Sequence, residues 1–442
     1  MTICNENGFH QNGELNGGDH HIRYIPLSYD GADSRESALR LVLAIRPEWS
    51  EPVSNVEFVR FTDGITNTLL KAVNKRPGLT KDEVDREAIL LRAYGHGTDV
   101  IIDRHRETQN HELLMRHGLA PQLLARFENG MMYRFIQGAV TQPEDLRKPA
   151  IYKAVARRLA QWHAVVPCIP GRTGHSRKNS RADGVSALAA LDSNLGDVEF
   201  QQALDGIAPG KPPPNVWTVM QKWIFALPTE TEAQRARQAA LQQELTTLVA
   251  ELSQRPSLGV NGLVFAHCDL LSGNVIVLPK SAHAVNGDDK TTETVTFIDY
   301  EYATPSPAAF DLANHFAEWG GFDCDFSVLP TRAQRREFIT EYIHAYFSQL
   351  EKKTPGAAAG VDEAAEVEKL LSEVDHFRGV PGFYWGIWAL IQATISEIDF
   401  DYASYAETRL GEYYAWRAEV TGERQRSGKE MPLRERRWAQ EE

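Results

Sequence analysis

The stretch His267–Asn274, HCDLLSGN, follows the apolar run LVF and spaces its polar groups as HxDxxxxN. That is the layout of a kinase catalytic loop. Phosphoryl transfer needs a carboxylate to orient and deprotonate the attacking hydroxyl, and oxygen ligands for Mg²⁺ on the phosphates. Asp269 is the candidate base. Asn274 is a candidate ligand through its amide oxygen, since Mg²⁺ prefers hard oxygen donors. A second ligand is required, and VTFIDYEY supplies Asp299 just past an apolar β-type run. HxDxxxxN alone also arises by chance, because Asp and Asn are common turn residues. Two apolar strands flanking a polar loop, each delivering acidic or amide oxygens, are more specific. Tyr-Glu follows Asp299 in place of Phe-Gly, which excludes a eukaryotic protein kinase and fits the wider kinase-like superfamily acting on small hydroxyl compounds.

At 442 residues the chain is long enough for two or three lobes or domains. The first 22 residues read as a flexible polar arm. From 23 to 136 short strands dominate: Val56–Phe61, Leu69–Val73, Ala88–Arg92, Asp99–Asp103 and Met131–Phe135, with helices over Ser37–Leu43 and Arg106–His117. From 137 to 421 helices dominate, with Ala150–Ala164 and Glu230–Gln254 the clearest, and short strands at Leu263–Ala266, Val275–Val277 and Val295–Ile298. Residues 168–184 and 279–294 read as loops, KKTPGAAAG as a surface insertion, and 422–442 as a charged, frayed tail. The expected fold is α/β (α+β) and two-lobed like a protein kinase, a strand-rich ATP-binding lobe and a mostly helical catalytic lobe with a cleft between them.

A formal net charge of -13 argues against general affinity for nucleic acid or anionic membrane. The four cysteines are scattered without a CxxC pair, so a zinc site or disulfide framework is not expected and a reducing cytoplasm is. No signal peptide or membrane-length apolar run is evident.

The nucleotide end carries weaker signals. Thr62, Asp63, Gly64, Ile65, Thr66 and Asn67 form a polar tip between two strands, read equally as a phosphate-covering turn or an ordinary hairpin. Arg92 ends AILLR, where kinases place a phosphate-pairing lysine; a strand-end Arg is more often a solvated charge. GxxxxGK[ST] is absent, which disfavours a Walker-type ATPase.

FTDGITNTLLK, ILLRAYG, LVFAHCDLLSGNVI, FIDYEYATPSPAAFDLANHFAEW and FYWGIWALIQATISEIDFDYASYAETRL, in this order, resemble the choline/ethanolamine kinase family. The resemblance implies ATP as co-substrate, Asp269 as base, Asn274 and Asp299 on Mg²⁺, and the Thr62–Asn67 tip and Arg92 on the phosphates. His267 and Asp311 would hold the catalytic loop; Asp311 also reads as a helix N-cap. Glu318, Trp319, Trp385, Trp388 and Tyr405 would form the pocket for the cationic head, since ring faces attract an ammonium. Read without the resemblance, FYWGIWALI is more simply a core helix. Members are often dimers, although no pattern here establishes a homodimer.

The expected acceptor is a small amino alcohol. A primary ammonium wants oxygen acceptors, a trimethylammonium an aromatic cage. TDGITN, PAAFDLANHFAEW and ISEIDFDYASYAE resemble ethanolamine kinases more than choline kinases. The expectation is phosphorylation of ethanolamine to phosphoethanolamine, the first step of the CDP-ethanolamine route to phosphatidylethanolamine. Choline or dual activity is the alternative, as pockets discriminate modestly between substrates differing by methyl groups. Asp323 reads as an added acceptor or as a solvated loop charge. An aminoglycoside-type phosphotransferase shares HxDxxxxN but lacks the tryptophan-rich stretch, and a pseudokinase scaffold would normally lack a base or metal ligand. Cys268 stands where the family often has Asn, so the hydrogen bonding of that turn is the point of departure.

Overall fold

A computed structural model describes residues 22–61, 67–95, 97–168, 197–280, 293–396 and 398–442. Most of the predicted arm and loops therefore lie outside the described residues. The chain divides into two compact units, one of Met1–Thr98, Thr108–Ala139 and Leu278–Lys290, the other of Asp99–Glu107, Val140–Val277 and Thr291–Glu442.

The first unit holds a six-stranded sheet in the order β1-β5-β6-β4-β3-β2. Its strands are β1 (Tyr24–Ile25), β2 (Val56–Phe61), β3 (Asn67–Asn74), β4 (Ile89–Tyr94), β5 (Leu123–Phe127) and β6 (Gly130–Arg134). β1 runs parallel to β5 and the other pairs are antiparallel. Alternation sends Ile89, Leu91 and Ala93 of β4 to one face, where they meet Leu70 and Ala72 of β3. The helix Ser34–Ile45 covers that face with Ala38, Leu41 and Val42, spaced three and four apart. Arg92 belongs to the other face, opposite Leu69 and Met131 in the neighbouring strands.

Asp99–Asp103, expected as a strand, is not one. Thr98–Val100 is a short 3₁₀ turn, and the carbonyl of Ile101 accepts the Trp223 indole N–H at 3.2 Å. Ile101 and Ile102 are buried all the same, and a short apolar run cannot distinguish such burial from that of a strand. The pairing instead uses β5, whose residues alternate buried and half-buried.

β7 (Ala139–Val140), β9 (Val275–Val277) and β10 (Val295–Phe297) form a small sheet, and in the second unit β8 (Val264–Ala266) pairs with β11 (Thr304–Ser306). Around them pack helices, including Pro149–Val165, Glu232–Leu252, Ala308–Ala317, Arg332–Lys353, Val380–Ile395 and Tyr402–Val420. Thr231 with Gln234, and Thr331 with Gln334, close capping boxes that start two of them. Val380–Ile395 and Tyr402–Val420 approach closely because glycine lines the contact. A Cβ at Gly382 would lie 2.5 Å from the Arg409 carbonyl oxygen, and one at Gly386 2.7 Å from Leu410 Cγ.

The tail is not frayed: Leu433–Trp438 is a helical turn with Arg434, Glu435 and Trp438 buried. Among the described residues no helix is long and apolar enough to cross a membrane.

Candidate active site

The loop between β8 and β9 carries His267, Asp269 and Asn274, and the end of β10 leads to Asp299. β9 and β10 pair antiparallel with Val275 opposite Phe297, and the Ile298 N–H donates to the Asn274 carbonyl at 3.0 Å. The two sequence stretches that carry oxygen ligands are thus zipped together at their ends.

Within the loop the Asn274 amide nitrogen donates to the Asp269 carbonyl at 2.7 Å and to Asp269 Oδ2 at 3.1 Å. This fixes the carboxylate and turns the amide oxygen of Asn274 away from it. Cys268 and Asp299 both occupy left-handed backbone, at φ 63° and 64°. Such geometry costs a non-glycine residue on the order of 1 kcal/mol and needs support from its surroundings.

Asp311 supplies that support for Cys268. Fully buried in the first turn of Ala308–Ala317, it accepts the N–H of His267 at 3.0 Å and of Cys268 at 2.8 Å. Burial alone would raise its pKa, but the hydrogen bond with His163 and attraction to His163 and His267 outweigh this and hold it below the ordinary carboxylate value. His163 lies between Asp311 at 3.0 Å and the Tyr342 hydroxyl at 2.7 Å. Burial pushes His267 down to about 4, so the neutral ring donates Nε2–H to the Ile298 carbonyl at 3.0 Å. The Cys268 thiol turns into the core, 3.3 Å from Ser306 Oγ.

Asp269 is pushed well above the ordinary carboxylate value, by burial first and then by the charges of Asp299, Glu318 and Glu301. Three carboxylates therefore act on a fourth here. Among the described residues no three His, Cys, Asp or Glu side chains converge to hold a metal by themselves. An amide oxygen from Asn274 and a carboxylate from Asp299 fit Mg²⁺ nonetheless, since it keeps waters and is commonly held by one or two protein oxygens plus substrate phosphates.

Trp385 and Trp388, three apart in Val380–Ile395, meet edge to face at 5.5 Å. The Trp385 indole donates to Asn314 Oδ1 at 2.8 Å, and Asn314 Nδ2 donates to the Cys268 carbonyl at 3.0 Å. The Trp388 indole donates to the Tyr302 hydroxyl at 2.8 Å. Both rings are therefore wired to segments that carry catalytic candidates. Tyr405 packs on Phe322 and Phe400 and lies under the Arg409 guanidinium at 5.7 Å. Glu318 is buried, paired with Arg409 at 3.4 Å, and raised above the usual carboxylate range by burial although Arg409 lowers it. Trp319 stands apart: fully buried, it packs on Tyr152 and Phe316 and donates weakly to His315 at 3.5 Å. Among the described residues no ring contact joins it to Trp385, Trp388 or Tyr405.

In the first unit Arg92 is buried, and its charge acts on His111, which burial chiefly drives down to about 4. Thr62–Thr66 lie outside the described residues, and Asn67 begins β3.

Sequence alone does not single out His163, Tyr302, Glu301 or Asn314. The signal for His163 is a histidine on the apolar face of an amphipathic helix. That for Glu301 and Tyr302 is their place two and three residues after Asp299. Glu301 is buried and paired with Arg104 at 3.3 Å.

Residues 58–414 match the family model for choline/ethanolamine kinase. Ethanolamine kinase 1 of Mus musculus is 33% identical over 397 residues, 88% of this chain and 90% of the relative. The probable ethanolamine kinase of Nematostella vectensis is 32% identical and covers 89% of this chain and 96% of the relative. Among solved structures, an ethanolamine kinase from Plasmodium vivax superposes with a TM-score of 0.59 at 23% identity, covering 86% of this chain and 87% of its own. A choline kinase from Cryptosporidium parvum gives 0.54 at 19%, covering 88% and 96%. These two share the fold.

Proposed function

The chain belongs to the choline/ethanolamine kinase family, and on that premise we propose that it transfers the γ-phosphate of ATP to the hydroxyl of ethanolamine. The names of its relatives favour ethanolamine over choline as acceptor. The observation that carries the chemistry is the Asn274 amide holding Asp269 through two hydrogen bonds in a buried loop.

In this reading Asp269 orients the acceptor hydroxyl and takes its proton as the oxygen–phosphorus bond forms and ADP leaves. Asn274 and Asp299 hold Mg²⁺. Held there, the cation would supply charge neutralisation at the phosphates and offset the repulsion that Asp269 meets from the carboxylates around it. Asn67, Arg92 and the Thr62–Thr66 tip contact the phosphates. His267 and Asp311 keep the loop in its left-handed turn. Glu318 takes the substrate ammonium, with Trp385, Trp388, Tyr302 and Tyr405 as its apolar and cation-attracting walls. Trp319 backs this region as core. The enzyme works in the cytoplasm.

The test is ADP release with ethanolamine, choline and kanamycin, with and without Mg²⁺. Turnover with ethanolamine at the highest kcat/KM, lost on chelation, is the expected result. Higher kcat/KM with choline would move the acceptor assignment. Tight ATP binding without acceptor-stimulated turnover would mark a scaffold.

A further inference from the structure

A buried chain of alternating charges runs from Glu318 to the C-terminal segment. Glu318 pairs with Arg409 at 3.4 Å, Arg409 with Glu412 at 3.5 Å, and Glu412 with Arg434 at 3.4 Å. Arg434 in turn meets Glu435 at 3.0 Å, and Glu435 meets Arg378 at 2.9 Å. Three carboxylates alternate with three guanidiniums, so the chain is neutral, and all but Arg378 are almost wholly shielded from water. Arg434 and Glu435 lie beyond residue 414, where the family match ends.

Arg409 stands nearly equidistant from two carboxylates. How it divides its charge between Glu318 and Glu412 depends on what else Glu412 has as a partner, and that partner is Arg434. In a buried setting a lost counter-charge is not replaced by water, so the remaining ions redistribute.

We propose that Arg434 is a positioning residue for the amine pocket: by holding Glu412 it keeps Arg409 on Glu318, and so the C-terminal segment sets the orientation of the carboxylate that receives the substrate ammonium. The proposal rests on the reading of Glu318 as the ammonium's partner. Without Arg434, Glu412 draws Arg409 to itself. Glu318, which burial already pushes toward its neutral form, then loses the bond that orients it and the charge that favours its ionised form.

The experiment compares steady-state kinetics with ethanolamine for Arg434→Met, Arg434→Met with Glu412→Gln, Arg434→Lys, and Glu318→Gln in the full chain. Arg434→Met is expected to raise KM for ethanolamine roughly tenfold, with KM for ATP within about twofold. Adding Glu412→Gln removes the competing carboxylate and is expected to restore KM to within about threefold. A purely structural role would leave the double variant as impaired as the single one, or would raise both KM values together, and either result overturns the proposal, as does a fall in KM for ethanolamine. If Arg434→Met does not fold, Arg434→Lys and the double variant decide. A modest rise in ethanolamine KM for the lysine variant beside a near-normal double variant supports the coupling, and normal KM for both overturns it. Glu318→Gln separates the two levels. If it leaves KM for ethanolamine unchanged, the pocket reading fails and takes the proposal with it. If it raises KM while Arg434→Met does not, only the coupling fails.

Discussion

Asp269 is a carboxylate whose burial and acidic neighbours oppose its charge, held in place by one amide. Replacing it by Asn keeps the shape but removes the proton acceptor. Asp269→Asn is expected to lower kcat by about 10³-fold, within the range for loss of a general base, while ATP affinity changes little; stopped-flow turnover and equilibrium nucleotide titration check both. A kcat near normal would remove Asp269 from the reaction. Trp388→Ala tests the other end of the site. If its ring faces the ammonium, KM for ethanolamine rises about tenfold and KM for ATP does not; equal changes in both would make it core packing. At this scale the spacing HxDxxxxN exposes Asp269 and Asn274, because both lie in one local loop. Asn314 and Tyr302 matter through indole hydrogen bonds from residues 71 and 86 positions away. His163 matters through Asp311, 148 positions away. No local pattern records contacts of that range.

At the scale of elements, strands and helices with clear periodicity were legible: β2, β3, β4 and β6, and the helices Pro149–Val165 and Glu232–Leu252. The short apolar run at Asp99–Asp103 was not, since its Ile101 and Ile102 are buried in a turn segment that joins no ladder. The C-terminal segment was not legible either, because its charges read as solvated when Arg434 and Glu435 are in fact buried and paired inside the protein. Trp438 is the clearest case. Its ring lies under the Arg335 guanidinium at 3.9 Å, its indole donates to Asp375 at 2.7 Å, and its carbonyl accepts from Arg335 at 2.9 Å. Trp438→Ala is expected to cost about 3 kcal/mol, the usual penalty for emptying a large buried aromatic site, read as a lowered urea midpoint with an unchanged slope. A frayed tail would give a loss within about 0.5 kcal/mol, as exposed substitutions do.

Over the whole molecule, buried neutral histidines link folding to pH. His111 in the first unit, and His267 and His315 in the second, are driven by burial from 6.5 to about 4. Between those values the unfolded chain takes up protons at these rings and the folded chain does not. The stability they contribute is therefore present above 6.5 and lost as pH falls toward 4. Asp269 and Glu318 act in the opposite sense, because raised carboxylates bind protons in the folded state at pH values where the unfolded chain has released them. The three rings favour unfolding and the two carboxylates oppose it, so the net uptake is at most three protons. Each net proton changes stability by about 1.4 kcal/mol per pH unit. Unfolding free energy is thus expected to drop by up to about 4 kcal/mol per unit between pH 6 and 5, well above the window in which Asp311 gives up its loop-holding charge. Urea melts at pH 7.5, 6.0 and 5.0 measure the slope. A flat profile, or stability that rises on acidification, would mean that these rings are protonated in the fold, which for His267 would require a fully buried cation with Asp311 as its counter-charge.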